Sequence, residues 1–129
     1  MPVALKIVTP SRIAVEGEAN EVQIPGFYGE YGVLADHAQM LTLTRPGVVT
    51  VHGGDHAGRM LVGKGLAEVG PGSITLLVDL CESIDDIDKD AARKDLEKAH
   101  ADLKEAVVNS PEAAAITDRI QLAEARINA

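Results

Sequence analysis

Several short stretches carry residue types that could do chemistry. His52-Gly-Gly-Asp-His56 sets two imidazoles and the Asp55 carboxylate close enough in sequence to clamp a divalent metal. Its Gly-Gly centre makes it the tip of a β-hairpin first, and metal binding the lesser reading. Gly58-x-x-x-x-Gly63-Lys64 nearly writes a phosphate-binding loop. Gly65 stands where a serine or threonine would hold Mg²⁺, and Arg59-Met-Leu-Val62 reads as a strand instead. Asp86, Asp88, Asp90 and Glu97 have the spacing of calcium-loop ligands, but Ala91 occupies the position where the sharp turn demands glycine. Acidic residues are favoured at a helix start by the dipole alone. Cys81, the single cysteine, follows an apolar run and reads as a small buried hydrophobe. No His-Glu-x-x-His or Gly-x-Ser-x-Gly pattern occurs, so the reading assigns no catalytic residue, no metal and no cofactor.

The elements that must position these residues follow from composition. The chain has 129 residues, with 12 Lys plus Arg against 20 Asp plus Glu, a formal charge of −8. An acidic chain without a basic block cannot neutralise phosphates in bulk, which argues against nucleic-acid binding. A single cysteine excludes a disulfide framework. The opening MPVALKIVTPSR shows no secretory pattern, no apolar run reaches membrane-spanning length, and the chain reads as soluble and intracellular.

All 12 glycines lie at or before Gly72, whereas the stretch after Ala91 is rich in alanine and holds one proline. Glycine and proline punctuate turns and alanine favours helix, so a β half precedes an α half. The boundary is set at residues 84/85. Strands are expected at Val3–Val8, Glu21–Ile24, Val48–His52, Arg59–Val62, Gly65–Val69 and Ile74–Asp79. Ile74 to Val78, more continuously apolar, suits a strand covered on both faces. Many short strands without intervening helices indicate an all-β sandwich or small barrel. Beyond it, Leu96, Ala99, Leu103 and Ala106 and then Ile116, Ile120, Ala123 and Ile127 recur at helical spacing. Asn109-Ser110-Pro111 stops one helix and restarts the next, giving an antiparallel hairpin with an alanine-rich seam that depends on docking.

The three aromatic residues, Phe27, Tyr28 and Tyr31, all fall in the glycine-punctuated segment from Ile24 to His37. The glycines at 26, 29 and 32 suggest a loop rather than a strand interior. Its aromatics are either a local plug or a partner-binding patch, since rigid rings give large contact area at low entropic cost.

Pro25-Gly26-x-x-Gly29-Glu30-x-Gly32-Val33-Leu34-x-x-His37-Ala38, then Leu41-Thr42 and Arg45-Pro46-Gly47-Val48-Val49, resembles the epsilon subunit of bacterial F-type ATP synthases. So do Val8-Thr9-Pro10 and Glu16-Gly17-Glu18 upstream, and Gly65-Leu66-Ala67-Glu68-Val69 and Ile74-Thr75-Leu76-Leu77-Val78-Asp79 downstream. The resemblance implies a sandwich of about ten strands (residues 1–84) and a C-terminal antiparallel helical hairpin (residues 85–129). It implies a non-catalytic rotor-stalk subunit, coupling c-ring rotation through gamma to ATP synthesis. By position, Phe27, Tyr28, Glu30 and Tyr31 would face the c ring, and Thr9, His37 and Thr42 would meet gamma. His37 reads equally as a hydrogen-bonded structural histidine.

Where some members of that family bind ATP through Ile/Leu-Asp-x-x-Arg-Ala, this chain has Ile87-Asp88-Lys89-Asp90-Ala91-Ala92. Alanine at the arginine position removes the fork that would hold a phosphate. Arg119 and Arg126 are the basic residues with which an extended hairpin could restrain hydrolysis at the alpha and beta subunits. The resemblance further implies peripheral attachment to the cytoplasmic face of a bacterial inner membrane, through partners alone. Two other readings are a free nucleotide sensor whose hairpin closes on ATP, and a metal-dependent enzyme using His52, Asp55 and His56.

Overall fold

The computed structural model describes residues 2–129. Ten strands come first: β1 (Val3–Thr9), β2 (Arg12–Ala19), β3 (Glu21–Gly26), β4 (Gly29–Val33) and β5 (Met40–Thr44). The rest are β6 (Gly47–His52), β7 (Gly58–Val62), β8 (Gly65–Gly70), β9 (Ser73–Val78) and β10 (Cys81–Ser83). After a 3₁₀ turn at Ile84–Asp86, two helices follow, α1 (Lys89–Glu105) and α2 (Pro111–Asn128).

The strands run β10-β7-β6-β3-β5-β8-β9-β1-β2, with β4 on β3. All pairs are antiparallel except β1 with β9. β3 meets β5 only at Gly26 and Thr44, so the ladder turns a corner there. One layer comprises β10, β7, β6, β3 and β4, the other β5, β8, β9, β1 and β2. Their inner faces share one core, including Leu5, Ile7, Val22, Ile24, Val49, Val62, Ile74 and Leu76. It is aliphatic: β-branched residues on alternate positions suit a pleated face buried on one side.

Two expectations change. The segment from Gly26 to Gly32 is no loop: Val22 pairs with Val33 and Ile24 with Tyr31, making a β3–β4 hairpin. Its glycines serve the turn, where Gly29 adopts φ 130°. Ile74 to Val78 is not covered on both faces either. Ile74, Leu76 and Val78 point inward, but Leu77 is 45% exposed, since the strand obeys the two-residue period despite its apolar run.

The helical hairpin is built as its sequence indicates. Ser110 caps α2 by accepting from the Ala113 N–H at 3.1 Å, with Pro111 in the first turn. Asp88 caps α1 by accepting from the Ala91 N–H at 3.0 Å. Between the helices, Ala99, Ile116 and Ile120 form a small core of their own, flanked by Leu96, Leu103 and Ala106. The hairpin docks on the outer face of the first layer. Leu61, fully buried, lies on the opposite side of β7 from the inward-facing Met60 and Val62. Glu82, its cross-strand neighbour on β10, receives Arg126 of α2.

Candidate functional site: a protein docking surface

The segments with chemical potential are absorbed by the fold. His52 and His56 flank the β6–β7 turn, whose Gly53 and Gly54 both have φ 79°. A Cβ on Gly54 would lie 1.8 Å from the Glu18 carbonyl oxygen, so the turn seats directly on β2. The Nε2 of His56 lies 3.1 Å from the Glu16 carbonyl oxygen, away from any carboxylate of the motif. Among the described residues, no three His, Cys, Asp or Glu side chains converge. Gly58–Val62 is strand β7, and Lys64, in the turn after it, pairs with Asp118 of α2. That partnership raises the Lys64 pKa through the hydrogen bond and charge of Asp118. Asp86 ends the 3₁₀ turn, Asp88 is a helix cap and Asp90 sits within α1, leaving no calcium loop. Burial pushes the half-buried Cys81 thiol up, as suits an unreactive hydrophobe.

The Ile87-Asp88-Lys89-Asp90-Ala91-Ala92 segment forms the α1 start. Ala92 is buried, Ala91 is exposed, and Arg93 pairs with Asp90 at 2.9 Å. On α2, Arg119 reaches Asp102 of α1 at 3.1 Å, and Arg126 grips Glu82 through two nitrogens at 2.5 and 3.3 Å. Arg126 is therefore engaged across the seat of the hairpin, and Arg119 within the hairpin itself.

What remains is surface. At the β3–β4 tip Phe27 is 58% and Tyr28 96% exposed, their rings edge-to-face with centroids 5.1 Å apart. Glu30 points outward beside them. Tyr31 turns the other way and packs on the sandwich core, its hydroxyl buried without a partner. Desolvation raises its pKa. The tip and the Leu34–His37 turn lie at opposite ends of β4, so Phe27 to His37 is not one continuous patch.

The second layer's outer face carries a feature the sequence reading missed. Cross-strand register aligns Leu43 with Leu66, Leu66 with Leu77, Leu77 with Val8 and Val8 with Ile13. That row crosses five strands, about 19 Å at the usual strand spacing. Leu43, Leu66, Leu77 and Ile13 are all at least 38% exposed, and Leu41 beside them is 69% exposed. The hairpin covers the outer face of the other layer and leaves this one bare. Exposed rows of this kind mark interaction surfaces rather than catalytic ones. Its signal was the alternation Met40-Leu-Thr-Leu-Thr44, legible only once β5 is known to be a strand.

The remaining interface candidates border this face. Thr9, at the end of β1, is 9% exposed and donates its hydroxyl to the Arg12 carbonyl at 3.2 Å. Thr42 lies inward, opposite the buried Ala67, between outward Leu41 and Leu43. His37 is half-buried, with Nδ1 2.7 Å from the Ala38 carbonyl oxygen, and its backbone N–H closes the turn onto Leu34.

Residues 2–84, the sandwich, match the family described as ATP synthase, Delta/Epsilon chain, beta-sandwich domain. The chain belongs to this family. The matched residues hold all ten strands, and the helical hairpin lies beyond them. The chain is similar to the ATP synthase epsilon chain of Afipia carboxidovorans, at 38% identity over 76% of this chain and 72% of the relative. It is 36% identical to that of a Bradyrhizobium species, over 77% of this chain and 73% of the relative. Among solved structures, a chain of the Euglena gracilis mitochondrial ATP synthase, in an assembly of OSCP, F1 and c-ring, shares the fold. Its TM-score is 0.79 at 19% identity, covering 95% of this chain and 78% of that one. No helix of the described residues of this family member is long and apolar enough to cross a membrane.

Proposed function

We propose that this chain is a non-catalytic rotor-stalk subunit of an F-type ATP synthase, holding gamma to the c ring so that ring rotation reaches the catalytic subunits. The single observation that carries this reading is the Leu43-Leu66-Leu77-Val8-Ile13 row on an uncovered sheet face. Burying such aliphatic side chains against a partner is worth about 25 cal/mol per Å² before the costs of association. In this assignment the row and the neighbouring His37 form the gamma-facing side, while Thr9 and Thr42, which face the core, support it from beneath. Phe27, Tyr28 and Glu30 meet the c ring, while Tyr31 supports the tip from beneath. Attachment to the cytoplasmic side of a bacterial inner membrane would come through these partners.

The hairpin's part is regulatory in this proposal. With Arg126 on Glu82 of the sandwich, that cation is not free to meet an alpha or beta subunit until the hairpin leaves its seat, whereas Arg119 is held within the hairpin by Asp102 of α1. Restraint of ATP hydrolysis therefore needs undocking first. The test is co-purification of the chain with tagged gamma and with the c ring. Ile13→Glu with Leu77→Glu should abolish recovery with gamma while the sandwich stays folded. Recovery equal to wild type would refute the assignment.

A further inference from the structure

The exposed row does not end at Leu43. The Phe27 N–H donates to the Leu43 carbonyl at 3.0 Å, which stitches the β3–β4 tip to the end of β5. Beside this stitch a groove of about 720 Å³ opens between the sandwich and the hairpin. Phe27, Leu43 and Leu66 line its sandwich side, and Asp118 and Gln121 of α2 line the other, with Lys64 at the rim bonded to Asp118. One wall thus belongs to the apolar row and the opposite wall to a helix that can exist as a wall only while docked. The hairpin's seat is lightly made: its small core does not merge with the sandwich core. It is pinned by the Lys64–Asp118 and Glu82–Arg126 pairs at separate points along α2.

We propose that this groove takes an aliphatic segment of the same rotor partner that covers the outer sheet, so that partner binding and hairpin docking reinforce each other. The inference rests on the functional reading above. Its occupant is argued from continuity: a body seated on Leu43, Leu66 and Leu77 runs directly into the groove mouth. Arg45, also on the lining and, among the described residues, without a carboxylate within 4.0 Å, favours a segment carrying an acidic residue. Coupling between two sites is reciprocal, so whatever tightens the hairpin also tightens the partner. A rotor-bound chain would then hold its hairpin down more firmly than a free one.

The test compares full-length wild type with a doubly charge-reversed chain, Asp118→Lys with Arg126→Glu, which sets like charges against Lys64 and Glu82. Affinity for purified gamma and amide exchange of residues 111–128 are measured on both. We expect α2 exchange in the wild type to slow when gamma binds, and the reversed chain to bind gamma about fivefold or more weakly. Adding Lys64→Glu and Glu82→Arg, which restores both pairs with opposite polarity, should recover the affinity. Equal affinities of wild type and the reversed chain, or α2 exchange unchanged or faster in the complex, would overturn the coupling while leaving the rotor reading intact. Failure of the wild type to bind gamma at all would sink both.

Discussion

Arg126 of α2 grips Glu82 of β10 with two guanidinium nitrogens, at 2.5 and 3.3 Å, across 44 positions of sequence. This is a bidentate geometry, in which two parallel hydrogen bonds fix orientation as well as charge. The side chains are 25% and 32% exposed, so screening keeps the pair modest. A double-mutant cycle on Arg126→Ala and Glu82→Ala should give a coupling of about 0.5–1 kcal/mol. Amide exchange should report it at α2 and not in the sandwich.

The sandwich and hairpin have separate cores, and only the first is large. A fragment of residues 1–88 is expected to fold and melt cooperatively, with Leu61 newly exposed. A peptide of residues 85–129 should be mostly unfolded in water, because short alanine-rich helices are marginal without docking. Circular dichroism of both pieces checks this; a stably helical peptide would contradict it.

Neighbouring positions on β9 should answer very differently to truncation. Ile74→Ala removes a side chain that is 1% exposed and should cost about 2–5 kcal/mol. Leu77→Ala, three residues on and 45% exposed, should change stability by less than about 0.5 kcal/mol. Urea melts of the two variants separate core from surface along one strand.

Tyr31 packs its ring on the core but buries its hydroxyl without a partner. An unsatisfied buried hydroxyl is a cost, so Tyr31→Phe should be neutral or stabilising by up to about 1 kcal/mol. Tyr31→Ala should destabilise through lost packing. A clear loss in Tyr31→Phe would mean that the hydroxyl has a partner.

Alkaline pH should loosen the protein by two routes. The folded-state pKa of Lys64 is raised by Asp118, so its contribution is complete below the unfolded lysine value and lost as pH climbs through the folded one. The Tyr31 phenol is raised by burial, and its unfolded form loses the proton first, which also favours unfolding as pH rises past about 10. Between neutrality and pH 9 neither effect operates. Asp118→Asn should abolish the Lys64 part, read as hairpin exchange, and leave the tyrosine part.

Much of the fold was written in local patterns. The Ser110-Pro111 restart, the alanine seam and the Gly53-Gly54 turn each carry a local preference that the structure follows. Four strands were not legible. β2 carries charges among its apolar residues, β10 is three residues long, and β4 and β5 are short and glycine- or threonine-laced. β2 and β4 close local hairpins on β1 and β3 that their charges and glycines disguise, whereas β5 and β10 are set by pairing with β8 and β7, partners distant in sequence, which no window contains. The same limit hid the docking row. Leu43, Leu66, Leu77, Val8 and Ile13 come from five separate strands and become neighbours only through cross-strand register. For the aromatic segment the sequence left plug and patch open, and the structure divides it, with Phe27 and Tyr28 exposed and Tyr31 packed on the core.

The most direct measurement is recovery of gamma by the tagged full-length chain, comparing wild type with Ile13→Glu/Leu77→Glu and with Asp95→Lys, at an exposed position on α1 off that sheet face, as a surface control. We expect wild type and the control to retain gamma, and the double variant to lose it while its melting temperature stays close to wild type. Undiminished gamma recovery by a folded double variant would contradict the central claim that this bare sheet face is where the rotor is held.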